Sequence, residues 1–113
     1  TESKAVLANA TVYFEFDSFN LSSRSIQALK SITMLMQDNS EIEITIAGHA
    51  DERGTREYNL ALGQRRAESV ADYIELKGIS RSRLTVKSYG EEMPMTQGSN
   101  ERSWARNRRA EIN

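Results

Sequence analysis

Two short stretches of the chain hold residues whose types and spacing could bind a charged ligand. Residues 48–54 (GHADERG) include the acid Asp51, and Arg66 follows it by fifteen positions, directly after Arg65. A carboxylate accepts hydrogen bonds from cationic donors, and an arginine can bind a carboxylate or a phosphate through two parallel N–H groups. Taken alone, Asp51 is typical of a turn and Arg66 of a surface ion pair. The two stretches form a candidate ligand site only if the fold brings them together.

The hydrophobic periodicity predicts four strands and three helices, in the order β-α-β-α-β-(α)-β. Residues 12–17 and 41–46 alternate between apolar and polar side chains, as strands with one buried face do. Two further strands are predicted around residues 84–86 and 109–112. The predicted helices begin at residues that can cap an N-terminus: Ser22 or Ser23 for the first, Thr55 for the longest, and Ser99 for a short helix that holds Trp104. The longest helix should end near Lys77, before Gly78.

This pattern indicates one domain of the α/β class, of α+β type. We expect a two-layer sandwich in which helices cover one face of a four-stranded mixed sheet and the other face is open to solvent. The domain should span residues 12–113, after a flexible lead-in at residues 1–11.

Right-handed crossovers would place the ends of the first two strands at one edge of the sheet, with the start of the long helix beside them. That edge would hold Asp17 and residues 48–54. On a wheel of the long helix, the core face runs from Leu60 to Ile74, and Arg66 lies on its flank, whereas Arg65 points to solvent. Because helical side chains lean towards the N-terminus, Arg66 should reach back towards the candidate edge.

The composition excludes several classes of protein. The 113 residues contain no Cys, 38% are hydrophobic and 27% are charged, so a disulfide scaffold, a thiolate zinc site and general disorder are not expected. No apolar run approaches the roughly 20 residues of a membrane span, and no signal peptide is recognisable. The net charge is −1, which argues against a nucleic-acid partner.

Five motifs occur in an order that resembles the OmpA-like peptidoglycan-binding domain, and within it the lipoprotein branch of the Tol–Pal system. They are FEFD at residues 14–17, GHADERGT at 48–55, the run from Glu57 to Ala67 with its arginine pair, SYGEEMP at 88–94 and NRRA at 107–110. As a set they cover residues 12–112. The chain departs from the family in having Arg56 where proline is common.

The resemblance implies non-covalent binding of the meso-diaminopimelate residue in the peptidoglycan stem peptide, without catalysis or a cofactor. It assigns the ligand's ammonium to Asp51 and its carboxylate to Arg66. The remaining pocket residues that it implies are Asp17, through backbone contacts, and Arg53, Asn59 and Leu62.

The resemblance also implies a place and partners. The domain would lie in the periplasm of a Gram-negative cell, attached to the outer membrane through an N-terminal lipid anchor that is absent from this chain. TolB and other Tol or outer-membrane proteins would be its partners. OmpA-type porins and flagellar stator proteins carry the same domain and remain alternatives.

Other functions fit the residues less well. A cell-wall enzyme could use Asp51, Glu52 and His49, but no nucleophile elbow or metal set accompanies them. RNA binding would need an open sheet face that is less acidic than the one predicted here. We expect no metal site, a His49 that is hydrogen-bonded to the backbone, a Trp104 that serves as a packing anchor, and a solvated basic face formed by Arg102, Arg106, Arg108 and Arg109.

Overall fold

The sheet contains four strands in the spatial order β1-β4-β2-β3. The computed structural model describes residues 10–113. Its strands are β1 (Ala10–Tyr13), β2 (Ile44–His49), β3 (Leu84–Gly90) and β4 (Arg109–Ile112). Its helices are α1 (Ser23–Asp38), α2 (Arg56–Leu76) and α3 (Glu101–Asn107), with a 3₁₀ turn at Arg81–Arg83. The predicted order of elements is therefore confirmed.

The sheet is mixed, as predicted. β2 and β3 are parallel neighbours joined through α2, whereas β4 runs antiparallel to both β1 and β2. β1 and β2 consequently point the same way although β4 separates them, and their carboxyl ends lie at one edge of the sheet. This edge is the one that the sequence marked for the candidate site.

The core lies between the helices and one face of the sheet. Ile44 and Ile46 of β2 point into it, as do Ala67, Val70 and Ile74 of α2. Leu60, at the start of the predicted core face of α2, is only half-buried. None of the helices within residues 10–113 is both apolar enough and long enough for a membrane span.

The start of the long helix follows the sequence signals closely. The Thr55 hydroxyl accepts a hydrogen bond from the Tyr58 N–H at 3.1 Å, and α2 begins at the next residue. After the last residue of α2, Lys77 forms the C-cap and Gly78 adopts a φ of 103°, which explains why a glycine stands there. Ser22 caps α1 in the same manner as Thr55 caps α2.

Several predicted boundaries are wrong. The second strand spans Ile44–His49 instead of residues 41–46, because Ile42 still lies in a turn, where its backbone N–H donates to Asn39 O. The first strand ends at Tyr13 instead of Asp17, and the chain then turns at residues 16–17, where Asp17 takes a left-handed backbone (φ 54°). The short helix α3 is capped by Asn100 and not by Ser99, since the Asn100 side chain accepts from the Ser103 N–H at 2.9 Å. β1 begins at Ala10, and residues 1–9 of the predicted lead-in lie outside the described residues.

Candidate functional site

A pocket of about 270 Å³ opens at the edge where β1 and β2 end and α2 begins. Its size suits one amino-acid side chain. All six residues that the sequence nominated line it: Asp17, Asp51, Arg53, Asn59, Leu62 and Arg66. Four further residues complete the lining: Phe16, Ala50, Gly54 and Tyr58. The fold thus brings the two charged stretches of the sequence together.

Asp51 lies just beyond β2 and is 5% exposed. One carboxylate oxygen, Oδ1, accepts from the Arg53 backbone N–H at 3.0 Å and from Arg53 Nε at 3.1 Å, while Oδ2 accepts from Arg53 Nη2 at 2.8 Å. Arg108 Nη1 lies 3.6 Å from the same Oδ2. Burial acts to raise the pKa of Asp51, but the bonds and charge of Arg53 and the charge of Arg108 outweigh it and hold the pKa below its usual value. Asp51 is therefore ionised at neutral pH.

Arg66 is completely buried in the third turn of α2. Its guanidinium donates to three backbone carbonyls: Nε to Ser18 at 2.8 Å, Nη1 to His49 at 2.9 Å and Nη2 to Glu15 at 3.1 Å. Burial lowers its pKa to about 10, and the nearby Asp51 charge acts in the opposite direction. Arg66 therefore stays charged at neutral pH. It also ties the loop after β1 to the end of β2.

The first turn of α2 forms a second wall of the pocket. Tyr58 donates its hydroxyl to Asp17 Oδ1, which fixes the turn after β1 against the helix. Asn59 is 1% exposed and donates its side-chain amide to Glu91 at 2.8 Å. Leu62 supplies an apolar surface one turn further along. Polar and apolar side chains thus both line the pocket.

Two arginines near the end of the chain are placed differently from the prediction. Arg108 and Arg109 are 4% and 3% exposed, so the expected solvated basic face contains at most Arg102 and Arg106. Arg108 donates to Phe14 O at 2.9 Å and to Glu101 at 2.8 Å, behind Asp51. Arg109 lies on the other face of the sheet, where it donates to Glu111 and to Met93 O. Arg108 caps the end of α3 and Arg109 is the first residue of β4, so the two neighbours belong to different elements.

His49 occupies the sheet face opposite the helices. Its ring stacks on Tyr89 with 5.4 Å between centroids, and neither ring nitrogen has a hydrogen-bond partner among residues 10–113. The expected backbone hydrogen bond is therefore wrong. Burial, together with the charge of Arg109, lowers the pKa of His49 to about 4 despite the opposing charge of Glu111. Within the described residues, no group of three His, Asp or Glu side chains is arranged to hold a metal ion.

An open mixed sheet with helices on one face and a charged, amino-acid-sized pocket at its edge defines a small ligand-binding domain. A family model described as "OmpA family" matches residues 13–108. The chain belongs to the OmpA family, as its motifs indicated.

Relatives with curated names agree with this membership. The chain is 45% identical over 112 residues to a peptidoglycan-associated lipoprotein of Pseudomonas putida, covering 99% of this chain and 67% of that protein. It is 43% identical to the protein of the same name in Pseudomonas aeruginosa, covering 99% and 66%. The chain thus spans about two thirds of the length of these relatives.

Solved structures share the architecture. The peptidoglycan-associated lipoprotein of Burkholderia pseudomallei superposes with a TM-score of 0.91 at 41% identity, over 95% of this chain and 91% of that one. The OmpA-like domain of Francisella tularensis FopA1 superposes with a TM-score of 0.79 at 27% identity, over 90% of this chain and 68% of that one. The C-terminal domain of Helicobacter pylori MotB superposes with a TM-score of 0.83 at 21% identity, over 92% of this chain and 82% of that one. At this identity the likeness shows the shared fold alone.

Proposed function

We propose that this domain binds peptidoglycan without catalysis, by holding the meso-diaminopimelate residue of the stem peptide in the pocket beside Asp51. The observation that carries the proposal is the convergence of a buried carboxylate and a buried guanidinium, from separate elements, on one pocket of about 270 Å³. The names of the lipoprotein relatives, which describe association with peptidoglycan, support it.

The chemistry of diaminopimelate matches the two charges. Its side chain ends in an ammonium and a carboxylate on one carbon, so a receptor needs an acid and a base close together. Asp51 forms its ion pairs with Arg53 and Arg108, and both Asp51 and Arg66 line the same pocket. The ammonium would bind the Asp51 carboxylate and the carboxylate would face Arg66, while Asp17, Arg53, Asn59 and Leu62 line the remainder.

A lysine in the same position of the stem peptide offers only the ammonium. It would leave the positive side of the pocket without a counter-charge, and a charge-assisted hydrogen bond contributes about 1.5–3 kcal/mol. We therefore expect the diaminopimelate peptide to bind at least tenfold more tightly than its lysine counterpart, measured by isothermal titration calorimetry.

Asp51→Asn tests the acidic half of the site. The change preserves the shape of the side chain but removes the charge, so we expect affinity for the diaminopimelate peptide to fall at least tenfold. Asp72→Asn is the matched control, because Asp72 is an exposed acid on α2 that pairs with Arg81 outside the pocket. Unchanged affinity in Asp51→Asn, or equal losses in both variants, would contradict the proposed site. Turnover of purified peptidoglycan by the wild-type protein would instead indicate an enzyme.

We further propose that the domain acts in the Gram-negative envelope as part of a Tol–Pal-type system, attached to the outer membrane by a lipid anchor outside these residues and partnered by TolB. The higher identity to the lipoproteins (45%) than to the OmpA-like domain of FopA1 (27%) supports a lipoprotein of this type. Binding of purified TolB to the domain, measured by surface plasmon resonance, tests the partner.

A further inference from the structure

Arg53 is held between two aromatic rings at the mouth of the pocket. The carbon at the centre of its guanidinium lies 4.0 Å from the ring centroid of Phe16 and 4.0 Å from that of Trp104. Phe16 comes from the loop after β1 and Trp104 from α3, so three separate segments meet at this one cation. Contacts with rings from two separate segments restrict the movement of the guanidinium.

The N–H groups of Arg53 are more accessible from the pocket than those of Arg66. Its Nε and Nη2 groups donate to Asp51, and Nη1 forms no hydrogen bond to any residue between 10 and 113. Arg66, by contrast, is completely buried and donates from all three nitrogens to backbone carbonyls. Arg53 is about one-third exposed and lines the pocket. A carboxylate that enters the pocket would therefore meet accessible N–H groups on Arg53.

Trp104 is placed to orient Arg53 without lining the pocket itself. Its ring takes one face of the guanidinium, and its indole Nε1–H donates to Glu52 Oε1 at 3.0 Å, which anchors the ring to the loop that carries Asp51. On the same helix, Glu101 accepts from Arg108, whose Nη1 faces Asp51. α3 thus contacts the acidic half of the site through two separate side chains.

We propose that Trp104 is a positioning residue that sets ligand specificity: with Phe16 it fixes Arg53 so that Arg53 binds the carboxylate of a zwitterionic ligand whose ammonium is held by Asp51. This inference rests on the proposed function and deepens it. It assigns discrimination between diaminopimelate and lysine peptides to the stacked Arg53 in addition to the buried charge of Arg66. The packing role expected for Trp104 from the sequence is thereby extended to ligand selection.

The test compares Trp104→Leu with Trp104→Phe. Leucine keeps an apolar side chain on α3 but offers no π-face, whereas phenylalanine restores the face and lacks only the indole N–H. Calorimetric titration with both stem peptides gives the dissociation constant of the lysine peptide divided by that of the diaminopimelate peptide. We expect Trp104→Leu to lower this ratio about tenfold, by weakening only the diaminopimelate complex, and Trp104→Phe to restore most of it. Arg102→Ala, an exposed change on α3, should leave the ratio unchanged.

The outcomes separate this inference from the proposed function. If the wild-type protein does not distinguish the two peptides, the proposed function fails. If the wild type distinguishes them and Trp104→Leu retains the wild-type ratio, or loses affinity for both peptides equally, the role of Trp104 is wrong. If circular dichroism shows that Trp104→Leu does not fold, the fluorescence emission of the wild-type protein is measured with and without peptide. Trp104 is the only tryptophan in the chain, so the emission reports on its surroundings. An emission unchanged by saturating diaminopimelate peptide would overturn the inference.

Discussion

Arg66 has a structural role in addition to its proposed contact with ligand. Its three hydrogen bonds to the carbonyls of Glu15, Ser18 and His49 would all be lost in Arg66→Ala. The bond to His49 O is buried and the other two are partly buried. A buried carbonyl left unpaired costs about 1–3 kcal/mol and the lost side chain leaves a cavity, so we expect the free energy of unfolding to fall by roughly 3 kcal/mol. Urea denaturation of the wild type and of Arg66→Ala measures this loss in the free energy of unfolding.

Arg65→Ala is the control for that change. Arg65 is exposed, and the carbon at the centre of its guanidinium lies 5.6 Å from the ring centroid of Phe19. Its removal should change the unfolding free energy by no more than about 0.5 kcal/mol. Equal stability of the two variants would show that the buried bonds of Arg66 contribute little.

The sequence identified the residues of the pocket better than their surroundings. Motif spacing placed Asp51 and Arg66 at one site, and both line the pocket. It placed Arg108 and Arg109 in solvent, because their burial depends on contacts with Phe14, Asp51 and Met93, which are distant in the chain. Periodicity predicts the direction of a side chain but not the distant residues that it contacts in the folded protein.

Two glycines let α2 lie directly against β2. A Cβ built on Gly48 would lie 1.6 Å from the carbonyl oxygen of Gly63, and one on Gly63 would lie 2.3 Å from Ser88 Oγ. The backbones of the strand and the helix are therefore in contact one turn before Arg66. This contact sets how deeply Arg66 reaches into the pocket.

Gly48→Ala should consequently be severe. The added methyl group can be accommodated only if α2 moves away from the sheet, so we expect a loss of about 3 kcal/mol or more in the free energy of unfolding, measured by thermal or urea denaturation. Gly78→Ala provides the comparison, because its Cβ would meet no atom within 4 Å and only its φ of +103° is unfavourable. That strain costs about 1–2 kcal/mol. If both variants lost the same stability, the close approach would not be the cause.

Element boundaries were predictable where a local side chain sets them. Thr55 caps α2 and Gly78 follows it, as expected from capping preferences alone. The end of β1 was not predictable from alternation, because the exposed Phe16 continues the apolar pattern while its ring lies on Arg53. Phe16 therefore fits the strand pattern because of its tertiary contact with Arg53, and not because it belongs to β1.

At the scale of the whole molecule, one histidine should couple stability to pH. His49 has a folded pKa of about 4, against 6.5 for an ordinary histidine. Below pH 6.5 the unfolded chain binds a proton that the folded protein does not, so the free energy of unfolding falls as the pH is lowered towards 4. A difference of this size corresponds to about 2 kcal/mol lost between pH 6.5 and about pH 5.

His49→Phe is the control for this pH dependence. Phenylalanine can stack on Tyr89 but has no proton to bind, and the chain contains no second histidine. Urea denaturation across this pH range should therefore give a nearly flat profile for the variant. A wild-type profile that is already flat above pH 5 would show that the ring is protonated in the folded state as readily as in the unfolded chain.

The pairing of β1 with β4 has a mechanical consequence. Ala10 pairs with Ile112 and Tyr13 with Arg109, so β1 starts at the end of the sheet remote from the pocket and runs towards it. Hydrogen bonds between antiparallel strands lie perpendicular to the strand axes. If the pocket holds peptidoglycan as proposed, tension applied at Ala10 would act along β1 and load the hydrogen bonds between β1 and β4 in shear. The rungs would then resist together, whereas a sideways pull would peel them apart one at a time.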